Sequence, residues 1–352
     1  SIALAHIDSQ WTYPGGDKYE GLLKENDLTK ESFARHDEVK EWVAKAQKIV
    51  AKKQEPAIQT GSHCSDPFEC SFLAYCRSQE PQPKHAISCL PNIRTNTLKS
   101  YIKDNEITEL SEVPDELLNE IQQRVKTHTL SGKVYFDAEG AAADIAPYKL
   151  PATFLDFETV ALAVPRWKGT RPYQQIPFQF SAHRLSRTEK LTHASFLDLS
   201  GNDPSLQFAK VLIEACGTSG PVFVYNASFE ASRISELAKR YPKLSASLLS
   251  INARMFDLLK VASQRYYHPS QRGSWSIKKV LAAIAPELSH DNLEGVQDGT
   301  MAMDAYQEAI TPMTTPDRKI EIERQLLAYC RLDTYAMVRL WAFFTGRPVP
   351  LD

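Results

Sequence analysis

The chain has 352 residues, 43% of them apolar, and carries 41 Lys plus Arg against 43 Asp plus Glu for a formal net charge of -2. That balance excludes a strongly basic scaffold that holds polyanions by bulk electrostatics, and at about 150 residues per domain the length favours two domains. No uninterrupted apolar run of about 18 residues occurs, and the opening SIALAHIDSQW lacks a charged head before an apolar stretch, so no membrane segment is expected and a cytoplasmic protein is.

The chain starts at Ser1 rather than Met, which is expected to mark a processed, trimmed or engineered piece of something longer. Four of the six cysteines fall in the first 89 residues: Cys64, Cys70 and Cys76 in GSHCSDPFECSFLAYC, and Cys89 at the end of HAISC. Their spacing is Cys-x5-Cys-x5-Cys-x12-Cys, and Pro67 breaks helical continuity between the first two, so the thiols can curl around one centre. Four thiolates suit tetrahedral zinc or an iron-sulfur cube. Zinc knuckles usually place a Cys pair two to four residues apart, and no such pair exists, so the spacing favours an iron-sulfur cluster with zinc as the alternative. The plainer alternative is four buried thiols acting as small apolar groups. His63 is a spare candidate ligand, and Cys216 and Cys330, in apolar helical stretches, read as core.

From Asn92 to about Val125 the apolar positions Leu98, Ile102, Ile107, Leu110, Val113, Leu118, Ile121 and Val125 predict helix, with Pro114, Asp115 and Glu116 as a helix start. The segment DAEGAAADIAPYKL, residues 137–150, mixes Gly, Ala and Pro without a clear period, and a domain boundary is expected there, dividing 1–145 from 146–352. The second half reads as strands at ATFLDFET, IPFQFSAHRL and LTHASFLDL, a helix at SLQFAKVLIEACG, a buried strand PVFVYN and a helix FEASRISELAKRY. This order predicts an α/β layered sheet flanked by helices, preceded by a smaller, mainly helical Cys-rich domain.

Side chains two apart on a strand share a face, so Asp156 and Glu158 in FLDFET point the same way. Glu230 in VYNASFE opens a helix, and Tyr329 and Asp333 in AYCRLDTYAM stand four apart on one helix face that is otherwise apolar. Four carboxylates of this kind are what two divalent ions roughly 3.5 to 4 Å apart require, since anionic oxygens must hold the metals and offset their charge. The expected chemistry is phosphodiester hydrolysis with two Mg²⁺ or Mn²⁺, in which Tyr329 aligns the attacking water. An ordinary surface with unrelated acids is the alternative.

These motifs, in this order, resemble those of the DEDD (DnaQ-like) 3′ to 5′ exonucleases: FLDFET, YNASFE and YCRLD match the first, second and third motifs, and Tyr329 in place of His points to the DEDDy branch. The resemblance covers about residues 151–347 and implies an RNase H-like mixed sheet, with Asp156, Glu158, Glu230 and Asp333 as metal ligands, Tyr329 as catalytic residue and 3′ to 5′ polarity. The second motif usually ends in Asp, and Glu230 is a methylene longer. The whole chain is also similar to an uncharacterised bacterial family in which a cysteine motif precedes a DEDD nuclease half. In that family the cysteine half resembles the C-terminal part of RecB-like nucleases that carries a [4Fe-4S] cluster. Here no Asp followed by Glu-x-Lys precedes the cysteines, so the first half is not expected to cut nucleic acid. RecB-like clusters take one Cys from well upstream of the others, whereas the fourth candidate here, Cys89, follows the other three.

NARMFDLLKVASQRYYHPSQRGSWSIKKVL interleaves cations with aromatics, and His268, Arg272, Trp275 and Lys278 are candidate contacts to single-stranded DNA or RNA, against the plainer reading of an exposed helix and loop. The loop RWKGTRPYQQ, residues 166–175, is a further candidate, and Asp257 is expected behind the metal ligands. The competing functional expectation is a catalytically weak or inactive nucleic-acid-binding module with a structural metal cluster.

Overall fold

A computed structural model describes residues 1–350. They form two compact units, one comprising residues 1–86 and 163–172, the other residues 87–162 and the chain from 173 onward. No helix among the described residues is long and apolar enough to cross a membrane.

The first unit opens with an antiparallel hairpin, β1 (Ala3–Ile7) and β2 (Leu23–Asp27), in which Ala3 faces Asp27. Three helices follow: α1 (Thr29–Ala34), α2 (His36–Val50) and α3 (Leu73–Gln79). The hairpin was not anticipated, because β1 and β2 are exposed and carry no alternating pattern. The loop 163–172 is fastened within this unit: Tyr13 N donates to Thr170 O (2.9 Å), Gly169 N to Tyr13 O (2.8 Å) and the Tyr19 hydroxyl to Pro165 O (3.2 Å). Tyr13 and Tyr19 stack with ring centroids 4.8 Å apart. Much of the segment expected to touch substrate thus serves as an internal anchor.

The second unit begins with α4 (Asn96–Asp104), two short 3-10 turns at 110–112 and 115–117, and α5 (Glu120–Ser131). Pro114 begins the second turn rather than the helix. The helix itself starts from Asn119, whose side chain accepts from Gln122 N (3.0 Å) while Gln122 Oε1 accepts from Asn119 N (3.1 Å). This reciprocal cap fixes the start more strongly than a proline five residues earlier. After β3 (Tyr135–Phe136) comes α6 (Ala138–Ile145).

α6 lies where a boundary was expected. Its Ala141 and Ile145 instead join the same core as Phe154, Phe223, Trp341 and Phe344. Alanines give a weak periodic signal, but their small side chains let a helix approach closely. At Gly140 a Cβ would crowd Asp137 Oδ2 and Arg265 Nη1, so those side-chain ends would have to move to admit one. The compact units therefore divide at Ala86/Ile87, not near 145.

The main sheet holds β4 (Ala152–Ala161), β5 (Gln175–Leu185), β6 (Leu191–Leu197), β7 (Val222–Val224) and β8 (Met255–Asp257), in the order β6-β5-β4-β7-β8. β4 pairs antiparallel with β5 and parallel with β7, and β8 runs parallel to β7, so the sheet is mixed. β9 (Tyr266–Tyr267) pairs separately with β3. The helices of this half are α7 (Ser205–Cys216), α8 (Ser228–Arg240), α9 (Ser245–Ala253), α10 (Leu258–Arg265), α11 (Ile277–Ile284), α12 (Gly299–Ala309) and α13 (Pro316–Thr345). The expected α/β sheet flanked by helices is present. Within this sheet β8 was not anticipated, and neither were the two-residue strands β3 and β9 outside it, such short strands giving no period to register.

Alternation along β4 assigns its two faces. Leu155 and Phe157 pack with Phe180, Phe208 and Leu212 beneath α7 and α8. Phe154, Asp156 and Glu158 face the other way, toward α13, where Phe154 meets Trp341 edge-on at 6.1 Å. α13 is set by Thr315 as N-cap, Pro316 in its first turn and Gly346 in the left-handed conformation at its end. Its position on the sheet is fixed by polar contacts: Gln179 Nε2 donates to Leu326 O (2.7 Å), and Thr334 Oγ1 bonds Ser181 Oγ (2.6 Å) and His183 Nδ1 (2.8 Å). Buried pairs of this kind resist sliding, because a slip would leave several polar groups unsatisfied at once.

Candidate metal centre

Strand geometry and helix geometry meet at one place. Asp156 and Glu158 stand opposite Ser181 and Gln179 of β5, and the ladder is irregular between Glu158 and Thr159. α13 brings Tyr329, Cys330 and Asp333 onto this face, and α8 brings Glu230 from its first turn. Glu158, Glu230, Tyr329 and Asp333 are all buried. Asp156, Glu158 and Cys330 offer ligand atoms within 4.8 Å of one another. Asp333 and Glu230 lie near enough to act electrostatically on Asp156 and Glu158, and Asp333, Glu158 and Asp156 act likewise on Tyr329.

Their electrostatics follow from burial. Asp156 is pushed well above the usual carboxylate range, first by loss of solvent and then by Asp333, Glu158 and Glu230. Glu158 is pushed up to about 8, by burial and then by Asp333, with Lys278 acting in the opposite sense. Glu230 is pushed up to about 8, chiefly by burial, and its Oε2 has no hydrogen-bond partner. The Tyr329 hydroxyl is raised by burial and by Asp333, Glu158 and Asp156, which keeps it protonated. Among the described residues no Lys or Arg forms an ion pair with Asp156, Glu158 or Glu230. Buried acids in one place without matching cations are costly, and divalent ions are the groups that relieve the cost. Among the described residues, Asp156, Glu158 and Cys330 form a group that could hold a metal ion, and Glu230 and Asp333 stand outside that group.

The carboxylate of Asp257, expected behind the metal ligands, accepts from the backbone N–H of Asn226 (3.0 Å), Ala227 (3.2 Å) and Leu259 (3.0 Å), tying β8 to the loop that leads into α8 and Glu230.

Three neighbours were missed or misread. His290, in a 3-10 turn, is buried with Nε2 2.8 Å from Asp333 Oδ1 and its ring 5.8 Å from that of Tyr329. Nothing in SHDN singles it out; its place depends on a contact 43 positions away. Cys330 is buried as expected of core, yet its thiol points at Asp156 Oδ2 (3.7 Å) rather than into apolar packing. Gly299, at the start of α12, has Glu158 Oε2 3.9 Å from where its Cβ would lie.

Of the candidate substrate contacts, Lys278 reaches the centre: its Nζ lies 5.4 Å from the Tyr329 ring centroid and donates to Gln297 O. Trp275 does not offer a free aromatic face. It is buried in the main core, and its Nε1 donates to Tyr266 O (2.8 Å). Tyr266 and Tyr267 are buried too. His268 caps the turn at 269–271 by accepting from Ser270 N (3.1 Å). Arg272 is exposed, in the left-handed region at φ 49°. Alternating aromatics and cations over this stretch reflect strand-end packing rather than a stacking platform.

In the first unit, Cys70 N donates to Cys64 O (2.8 Å), which curls the chain around Pro67, and Cys76 follows on α3. Cys64 is buried while Cys70 and Cys76 are partly exposed. Cys89 belongs to the second unit, where it is buried among Leu90, Leu98, Leu110, Val113 and Leu118.

A family model described as a domain of unknown function, DUF2779, matches residues 153–276. That span includes Asp156, Glu158, Glu230 and Asp257 and stops short of His290, Tyr329 and Asp333. No curated protein matches the chain, and no solved structure does.

Proposed function

We propose that this chain is a metal-dependent nuclease that hydrolyses phosphodiester bonds of single-stranded DNA or RNA, acting as a 3′ to 5′ exonuclease of the DEDDy type on an RNase H-like fold. The observation that carries this reading is that Asp333 and Glu230 lie near enough to Asp156 and Glu158 to oppose their charge, in a cation-poor setting beside Tyr329. Polarity and fold family come from the motif resemblance.

On this reading the four carboxylates hold two Mg²⁺ or Mn²⁺, which supply a more acidic water and offset charge on the departing oxygen. The chain's own contributions are distinct. Asp156 and Glu158, locked in register by β5, give the centre its rigidity. His290 holds the Asp333 carboxylate in one orientation. Tyr329, kept protonated by its anionic surroundings, orients a water by hydrogen bonding and does not take its proton. Lys278, partly exposed beside Tyr329, supplies a cation for a phosphate of the substrate. The first unit is read as carrying a [4Fe-4S] cluster held by Cys64, Cys70 and Cys76 in a structural role, with zinc as the alternative metal; Cys89, the fourth cysteine of the sequence motif, lies in the second unit.

The test is incubation of the purified chain with Mn²⁺ or Mg²⁺ and single-stranded oligonucleotides carrying a label at the 5′ end. A ladder shortening from the 3′ end, abolished by Asp156→Ala, is the expected result. Absence of products with the parent chain, or equal products with Asp156→Ala, overturns the proposal.

A further inference from the structure

Far from the acidic cluster, at the other end of β4, a cavity of about 400 Å³ opens between α6, the β5–β6 turn and the end of α13. Its walls include Tyr148, Lys149, Arg187, Trp341, Thr345 and Arg347. Three cations and no carboxylate line it. Ala152, beside this cavity, precedes Asp156 by four residues, about 13 Å along an extended strand.

Two observations mark the cavity as a site rather than a gap. First, Trp341 is 3% exposed, lines the cavity, and its Nε1 meets no acceptor among the described residues. Buried indole N–H groups ordinarily find a partner, so this one is a donor waiting for an acceptor. Second, the cations do not neutralise one another's surroundings. Arg347 contacts Glu189 at 2.9 Å and lies over the Trp341 ring at 5.5 Å, while Lys149 and Arg187 have no ion-pair partner among the described residues. Arg187 also lines an adjoining cavity of about 510 Å³ with Arg184 and Lys190, so the positive face continues past it.

We propose that this cavity binds a phosphate group, which accepts from the Trp341 indole N–H and is flanked by Lys149, Arg187 and Arg347. A phosphate has acceptors on all sides, suiting donors that approach from a helix, a hairpin and a helix end at once, and arginine forks match it well. A volume of this size also admits the sugar that would carry the phosphate. The phosphate can belong to a polynucleotide backbone or to a free nucleotide. The inference does not depend on the hydrolytic reading, since no group of the acidic cluster takes part.

The test follows the indole N–H resonances of the full chain by ¹H–¹⁵N correlation spectroscopy during titration with inorganic phosphate in the absence of divalent ions. The Trp341 signal is identified by its loss in Trp341→Phe. The expected result is a saturable shift of that signal, not reproduced by chloride at equal ionic strength. Because Arg187 is exposed, Arg187→Glu leaves the fold intact, and it is expected to weaken phosphate about tenfold. Displacement of phosphate by an oligothymidylate assigns the site to a nucleic-acid backbone, and displacement by 5′-AMP alone assigns it to a free nucleotide; both outcomes sustain the proposal. A shift that is linear, or equal in chloride, or unaltered by Arg187→Glu overturns it.

Discussion

Nε2 of His290 lies 2.8 Å from Oδ1 of Asp333, and both side chains are buried where four acids and a tyrosine converge. A carboxylate held by a ring N–H keeps one orientation, and residues in that supporting position typically change metal affinity by about 10 to 100-fold when removed. His290→Ala is therefore expected to weaken Mn²⁺ binding within that range while the protein stays folded. Calorimetric titration with Mn²⁺ checks this, and an affinity equal to the parent's would remove His290 from the centre.

Asp156 is half-buried, and three neighbouring acids, Asp333, Glu158 and Glu230, oppose its charge. Asp156→Asn relieves that opposition without changing shape, so the metal-free variant is expected to gain about 1 kcal/mol of stability and to lose Mn²⁺ binding and hydrolysis together. Thermal unfolding in chelator, set beside an Mn²⁺ titration, separates the two effects.

Glu158 and Glu230 ordinarily titrate near 4.5 and are pushed up to about 8 in the folded chain. Between those limits the folded state holds more protons than the unfolded one, so metal-free stability declines as pH rises from 4.5 to 8 and is level below and above that window. Bound cations take the place of those protons. The unfolding temperature in chelator is accordingly expected to fall from about pH 5 to about pH 8, and saturating Mn²⁺ is expected to reverse the trend.

Trp275 and Lys278 stand three residues apart and separate structure from contact. Trp275→Ala removes a core ring and strands the Tyr266 carbonyl, a change expected to destabilise the fold by about 3 to 5 kcal/mol. Lys278→Ala is expected to leave the unfolding temperature within a degree or two and to weaken single-strand binding. Denaturant unfolding and binding anisotropy on both variants test the contrast, and equal stability of the two would return Trp275 to the surface.

The cysteines are tested by colour and metal content. Anaerobic preparations are expected to be brown, with about four irons per chain, and each of Cys64→Ser, Cys70→Ser and Cys76→Ser is expected to lower that content. A colourless protein with stoichiometric zinc would replace the cube with a tetrahedral site. Full iron in Cys89→Ser would leave Cys89 as the core residue its apolar neighbours suggest.

What the chain determined by itself was the content of each element. A period of two along FLDFET put Asp156 and Glu158 on one face, a spacing of four put Tyr329 above Asp333, and Asp257 was legible as the start of a helix. Local geometry decides such facts, because neighbours along the backbone have few ways to be arranged. Tertiary structure alone decided which faces meet: that His290 and the Cys330 thiol join the acids, that Trp275 turns inward, and that the alanine-rich α6 seals a core instead of marking a boundary. Those outcomes depend on packing between elements tens to hundreds of positions apart, and burial and contact with distant groups leave no periodic trace in the residues themselves.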